Sequence, residues 1–116
     1  MQRQVTVYRS ARRAISAADA EIVLPGRGLQ YDGRIAYLSI EGCLIETKCG
    51  LEPGTMVEVW MRTEGLPLRV QASLVDRRAT GVEFRFQALN DRKLDQIEIL
   101  RGELASETER AERKQA

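Results

Sequence analysis

Two groups of residues in this chain carry chemistry. Arg9-Ser-Ala-Arg-Arg13 is an Arg-x-x-x-Arg, and Arg12 offers it a second register. A guanidinium fork binds a phosphate through two hydrogen bonds, or reads guanine O6 and N7 side-on. Further on, Tyr37-Leu-Ser39-Ile-Glu-Gly42 sets a Ser-x-x-Gly turn between two apolar runs. Its serine hydroxyl can meet a ligand or cap a backbone N–H of its own turn. Its glycine admits positive φ and close backbone approach, because it has no Cβ.

Charge and composition narrow the ligand. The net charge is +1, too small for a general binder of long nucleic-acid polymers. Yet Arg3, Arg9, Arg12 and Arg13 all precede the first acidic residue, Asp19. The leading segment is therefore locally cationic and suits a small anion or an acidic partner patch; a solvated basic arm is the plain alternative. Aromatic content of 5% speaks against base-stacking platforms on a sheet. The chain has no histidine, which removes the commonest general base and every Ser-His or Cys-His pair. Its two cysteines, Cys43 and Cys49, cannot complete a zinc site of four ligands. Cys43 alternates with apolar neighbours and reads as a small buried hydrophobe. No catalytic residue, metal site or cofactor is expected, and the protein is not expected to be an enzyme.

The elements that must position these residues follow from periodicity. A chain of 116 residues with 43% hydrophobic and 30% charged residues makes one soluble domain with a modest core. No run approaches the ~18 to 20 apolar residues of a membrane span, and the N-terminus lacks the apolar core of a secretory signal. A cytoplasmic location follows as an expectation. Residues 1–18 show no sustained period; Ser10–Ala20 is compatible with either helix or a mobile arm. Ala20–Leu24 reads as a first strand closed by Pro25-Gly-Arg-Gly28, and Asp32-Gly33 as a tight turn opening a second, Arg34–Leu38. Cys43–Thr47 is the third and Thr55–Arg62 the fourth, with Val57, Val59 and Met61 inward. Glu64-Gly65 turns into Leu66–Val75, with Leu68, Val70, Ala72 and Leu74 on its buried face. Ala79–Phe86 is the sixth, with Val82, Phe84 and Phe86 inward. Six closely spaced strands with short turns predict an antiparallel sheet curled into a small barrel. Asn90 is a suitable N-cap, and Leu94, Ile97, Leu100 and Leu104 make one helical stripe to lie against that barrel.

In order and spacing, Arg9-x-x-x-Arg13, Tyr37-x-Ser39-x-x-Gly42, the strand set and its Gly81-Val-Glu-Phe84 ending resemble the PilZ domain, the bacterial receptor for the second messenger cyclic di-GMP. The resemblance covers roughly residues 8 to 104. It implies an all-β fold: a six-stranded antiparallel split barrel with a C-terminal α-helix and a flexible N-terminal arm. It divides the chain into the arginine-bearing arm, 1–18; the barrel with the start of the helix, 19–104; and a charged helical or frayed tail, 105–116. It implies that Arg9 and Arg13, with Arg12 in the alternative register, clasp phosphate and guanine. Ser39 would offer its hydroxyl, and Gly42 would let the turn form.

One position departs from the family pattern. Tyr37 stands where Asp or Asn is usual, two residues before the serine. A carboxylate accepting from guanine N1–H and N2–H makes charge-assisted bonds of about 1.5 to 3 kcal/mol each, and its loss weakens binding on the order of tenfold to a hundredfold. A tyrosine ring can instead stack on a base, for roughly 1 to 3 kcal/mol. By strand parity Tyr37 also neighbours the core, and a structural role is the alternative to stacking. Two functions stay open. One is a cyclic di-GMP receptor whose arm closes over the nucleotide and alters binding of a protein partner, such as a motility, pilus or polysaccharide-synthesis component. The other is a degenerate PilZ domain that has lost the nucleotide and serves as a protein-interaction module.

Overall fold

A computed structural model describes residues 16–115, with side chains as far as Arg110. Among the described residues six strands and one helix follow each other: β1 (Asp19–Leu24), β2 (Leu29–Leu38), β3 (Gly42–Thr47), β4 (Met56–Thr63), β5 (Leu66–Arg78), β6 (Gly81–Gln87) and α1 (Asp91–Gln115). Every strand pairing is antiparallel, and the spatial order β1-β2-β3-β6-β5-β4 closes on itself as a barrel. The seam is the pairing of β1 with β4, where Ile22 faces Val59. Closure leaves no sheet edge open to pairing with another chain.

Alternation sets which face is inside. Ile22, Ile45, Val59, Val70 and Phe84 are essentially solvent-free, and Val57, Met61, Leu68, Ala72, Leu74, Val82 and Phe86 join them in one core. These include every residue expected inward on the fourth, fifth and sixth strands. Cys43 is buried in the same core, as expected.

One local expectation does not hold, and one open alternative is narrowed. Asp32-Gly33 is not a turn; β2 runs straight through it, pairing Gly33 with Ala20 on one side and with Thr47 on the other. A Cβ on Gly33 would lie 2.4 Å from Ile45 Cγ2, so the glycine serves close strand packing. Second, Ala17 and Ala18 form a turn and Asp19 and Ala20 belong to β1, so helix does not extend across 17–20. Residues 10–15 of that expected stretch lie outside the described residues.

The helix begins as its sequence predicts. Lys93 N–H donates to Asn90 Oδ1 at 2.8 Å, and Asp91 sits in the first turn, where a negative charge suits the helix dipole. Ile97 and Leu100 are fully buried against the barrel, while Leu94 and Leu104 are half-buried at the edges of the stripe. Thr63 Oγ1 donates to the Gln96 carbonyl at 3.3 Å, and Glu64 N–H donates to Glu103 Oε1 at 2.9 Å, fastening the end of β4 to the helix. With 25 residues, α1 is about 37 Å long and reaches well beyond its packed stripe.

Candidate functional site

The site is made by an irregularity in β2. Ile35 pairs with Ile45 and Tyr37 with Leu44, so Ala36 is the extra residue of a β-bulge. The bulge breaks the parity of the strand. Ile35 and Leu38 are both buried, and Ala36 and Tyr37 between them both face out. Tyr37 is 62% exposed, which overturns its expected place beside the core.

Immediately after the bulge, Ser39–Gly42 turns the chain into β3. Ser39 N–H donates to the Gly42 carbonyl at 2.9 Å. Ser39 Oγ accepts from Glu41 N–H at 3.1 Å and Gly42 N–H at 3.3 Å, and donates to the Gly42 carbonyl at 3.3 Å. Two bonds accepted and one donated use all the capacity of a hydroxyl. Gly42 has a specific reason to be glycine, and it is not positive φ. Opposite Arg85 of β6, a Cβ here would lie 2.1 Å from the Phe84 carbonyl oxygen. The Glu41 carbonyl accepts from Phe86 N–H at 2.9 Å, so the turn is also tied down from the β6 side.

Two hollows open on this corner, and Tyr37 lines both. One, of about 400 Å³, has Ser39, Glu41 and Gly42 along one wall and Arg78, Glu83 and Arg85 along the other. Arg78 is paired with Glu83 at 2.6 Å. Cys43 also borders this hollow, and burial pushes its thiol far above its ordinary range. The other hollow, of about 600 Å³, is a cleft between β2 and the distal half of α1, bordered by Ala18, Arg34, Glu46, Arg101, Glu107 and Thr108 among others. Arg101 donates to Glu98 at 2.8 Å, and this hydrogen bond and charge raise its pKa further; Tyr37 contributes in the same direction.

The structure thus brings Tyr37, Ser39 and Gly42 to one corner. Arg9, Arg12 and Arg13 lie outside the described residues. Arg34, Arg101 and Glu107 were not anticipated as site residues. Helical spacing offered a signal for two of them, since Arg101 and Glu107 each stand three residues from Leu104 of the apolar stripe. Among the described residues no cluster of three or more potential metal ligands exists. None of their helices is long and apolar enough to cross a membrane.

A closed six-stranded antiparallel barrel, a trailing helix and a Ser-x-x-Gly turn between the second and third strands define the class of this protein. The family model of the PilZ domain matches residues 8–101, and the chain belongs to that family. Among solved structures, the crystal structure of the PilZ domain of CeSA from a cellulose-synthesizing bacterium shares the fold. Its TM-score is 0.59 at 16% sequence identity, over 78% of this chain and 92% of that one. No curated protein matches the chain.

Proposed function

We propose that this chain is a cyclic di-GMP receptor that works as an adaptor, binding nucleotide at the β2–β3 corner and changing the surface offered to a protein partner. PilZ domains are generally receptors for this nucleotide and act as binding modules. The observation that carries the reading here is the outward turn of Tyr37 beside the Ser39–Gly42 turn, over hollows of about 400 and 600 Å³. An exposed ring at the lip of a cleft offers a flat face for a guanine.

The roles divide by chemistry. Arg9 and Arg13 supply the phosphate and guanine forks, with Arg12 as the alternative to either. Tyr37 replaces the carboxylate's paired hydrogen bonds with stacking. Ser39 acts through the turn it holds, because its hydroxyl is fully engaged there. Gly42 lets that turn lie flush on β6. Closure of the arginine segment over the nucleotide would change the surface offered to a partner and needs no catalysis. The partner is a component of motility, pilus or polysaccharide-synthesis machinery; the cellulose-synthesizing source of the CeSA neighbour accords with the last of these.

Calorimetric titration with cyclic di-GMP, beside an Arg9→Ala/Arg13→Ala variant and with GMP as competitor, tests the reading. Saturable binding that the variant loses supports it, and flat heats at high micromolar nucleotide sink it. A second reading has its own observation. Ile40, at the tip of the same turn, is 47% exposed beside Tyr37. That apolar pair suits a domain that has given up the nucleotide for a protein partner, and self-association indifferent to nucleotide would favour it.

A further inference from the structure

Two arginines, one from β5 and one from β6, line the smaller hollow, and only one of them has a partner. Arg78, at the end of β5, is neutralised by Glu83 at 2.6 Å. Arg85 of β6 is exposed and makes no hydrogen bond or ion pair among the described residues. Its backbone, by contrast, is fixed on both sides. Arg85 pairs with Gly42 of β3 and with Ser73 of β5, and its neighbours Phe84 and Phe86 are buried in the core. A rigid root thus carries a guanidinium whose donors are uncommitted.

Register sets where that guanidinium stands. Gly42, opposite Arg85, brings no side chain to the pairing, and Phe86 N–H donates to the Glu41 carbonyl, so β6 lies directly against the Ser39–Gly42 turn. Tyr37 borders the same hollow from the β2 side. It pairs with Leu44, which pairs in turn with Glu83, two residues before Arg85. The carboxylates of the hollow are Glu41 and Glu83. Glu83 is engaged by Arg78, and Glu41 forms no ion pair among the described residues, so the charge of Arg85 is left for a ligand. A free fork on a fixed strand beside an exposed ring suits an anion joined to a flat group.

We propose that Arg85 is a phosphate-binding residue of the nucleotide site: the barrel itself holds a phosphodiester of the ligand whose base stacks on Tyr37. The inference rests on the ligand reading above. Two strand spacings and a two-residue offset put the Cα atoms of Tyr37 and Arg85 on the order of 12 Å apart along the sheet. With both side chains reaching into the hollow, a base, its sugar and the adjoining phosphate bridge that span. Stacking on Tyr37 tolerates any base and any slide along the corner, whereas a phosphate fork fixes the position of the ligand. Only a side chain has to be ordered when the contact forms, because the strand beneath it is already in place.

The test is calorimetric titration of the full chain with cyclic di-GMP, at low and at high salt, for wild type, Arg85→Ala, Arg85→Lys and Arg27→Ala, with thermal midpoints measured alongside. Arg27 lies in the turn before β2, at the other end of that strand from the corner, and controls for the loss of one positive charge. Arg85→Ala should bind about tenfold more weakly at low salt and lose affinity less steeply as salt rises. Arg85→Lys keeps the charge without the fork and should lose about threefold, while Arg27→Ala should match wild type. Midpoints should move little, since both arginines are exposed. Affinity of Arg85→Ala equal to that of a binding wild type overturns this inference alone. So does a loss that leaves the salt dependence unchanged, the mark of a purely structural role, or one that Arg27→Ala shares. Failure of the wild type to bind overturns the ligand reading, and this inference with it.

Discussion

The β4–β5 hairpin and the β2–β3 corner are both antiparallel connections in one barrel, and they spend their residues differently. The hairpin keeps an unbroken register from Met56↔Ser73 to Thr63↔Leu66. It reverses through Glu64 and Gly65, both at positive φ, the type I′ geometry that matches strand twist. Part of its outer face is satisfied from within, although Met56 and Leu66 at its ends are exposed. Arg69 lies 4.0 Å over the Trp60 ring, and Trp60 Nε1–H donates to Glu58 at 2.5 Å. The β2–β3 corner instead carries a bulge and a longer turn, and it holds Tyr37 and Ile40 out to solvent. Regular pairing buries side chains and stabilises. A bulge gives up a ladder position and re-aims a side chain, which is what the proposed nucleotide site requires.

The largest effect expected from this contrast is on stability at the hairpin. Leu68→Ala, at a 1% exposed position, should cost about 2 to 5 kcal/mol. Chemical denaturation measures that loss, and nucleotide affinity under native conditions should be unchanged. Gly42→Ala crosses the divide. Its Cβ would collide with the Phe84 carbonyl, for roughly 1 to 3 kcal/mol of destabilisation, and it should also abolish most nucleotide binding. A Gly42→Ala protein with wild-type stability and affinity would contradict the role of close approach at this turn.

Tyr37→Ala should leave stability within about 0.5 kcal/mol, since the ring is exposed. Its affinity for cyclic di-GMP should fall by about tenfold, the lower part of the stacking range. Tyr37→Phe should retain wild-type affinity if the ring face is what binds, so a large loss there would transfer the role to the hydroxyl.

The smallest effect concerns pH. The pKa of Glu107 is lowered in the folded protein, although burial alone would raise it. Its contribution to stability is therefore complete above the ordinary carboxylate value of 4.5 and is lost as pH falls through its folded value. Thermal midpoints of wild type and Glu107→Gln, followed from pH 7 to strongly acid solution, should differ slightly at neutral pH and converge as pH falls through the lowered Glu107 value. A difference that grew in acid would reverse the assignment.

Much of the barrel was legible because alternation is a local signal. Val57, Val59 and Met61 announce an inward face whatever lies opposite, and Asn90 with the Leu94-to-Leu104 stripe announces a capped, one-sided helix. The motif Tyr37-x-Ser39-x-x-Gly42 was legible as a corner for the same reason, being a short turn between apolar runs. Misreadings came where a residue answers to a distant strand. Asp32-Gly33 has turn composition, but Gly33 is small to make room for Ile45. Tyr37 has inward parity, but the extra residue at Ala36 reverses it. Glu107 stood in a charged tail with no local sign that both its oxygens would meet Ser16 and Ala17, some ninety residues earlier.

By itself, then, the sequence determined a six-stranded barrel with a trailing helix, its inward residues and the corner where chemistry should gather. Those follow from hydrophobic period, turn residues and capping, all decided within a few neighbours along the chain. Tertiary structure alone decided that Tyr37 faces solvent, that Gly42 is small for the Phe84 carbonyl and that the helix end grips the root of the arginine segment. Each of these depends on a strand or helix arriving from far along the chain, and a contact across space leaves no period in the sequence to read.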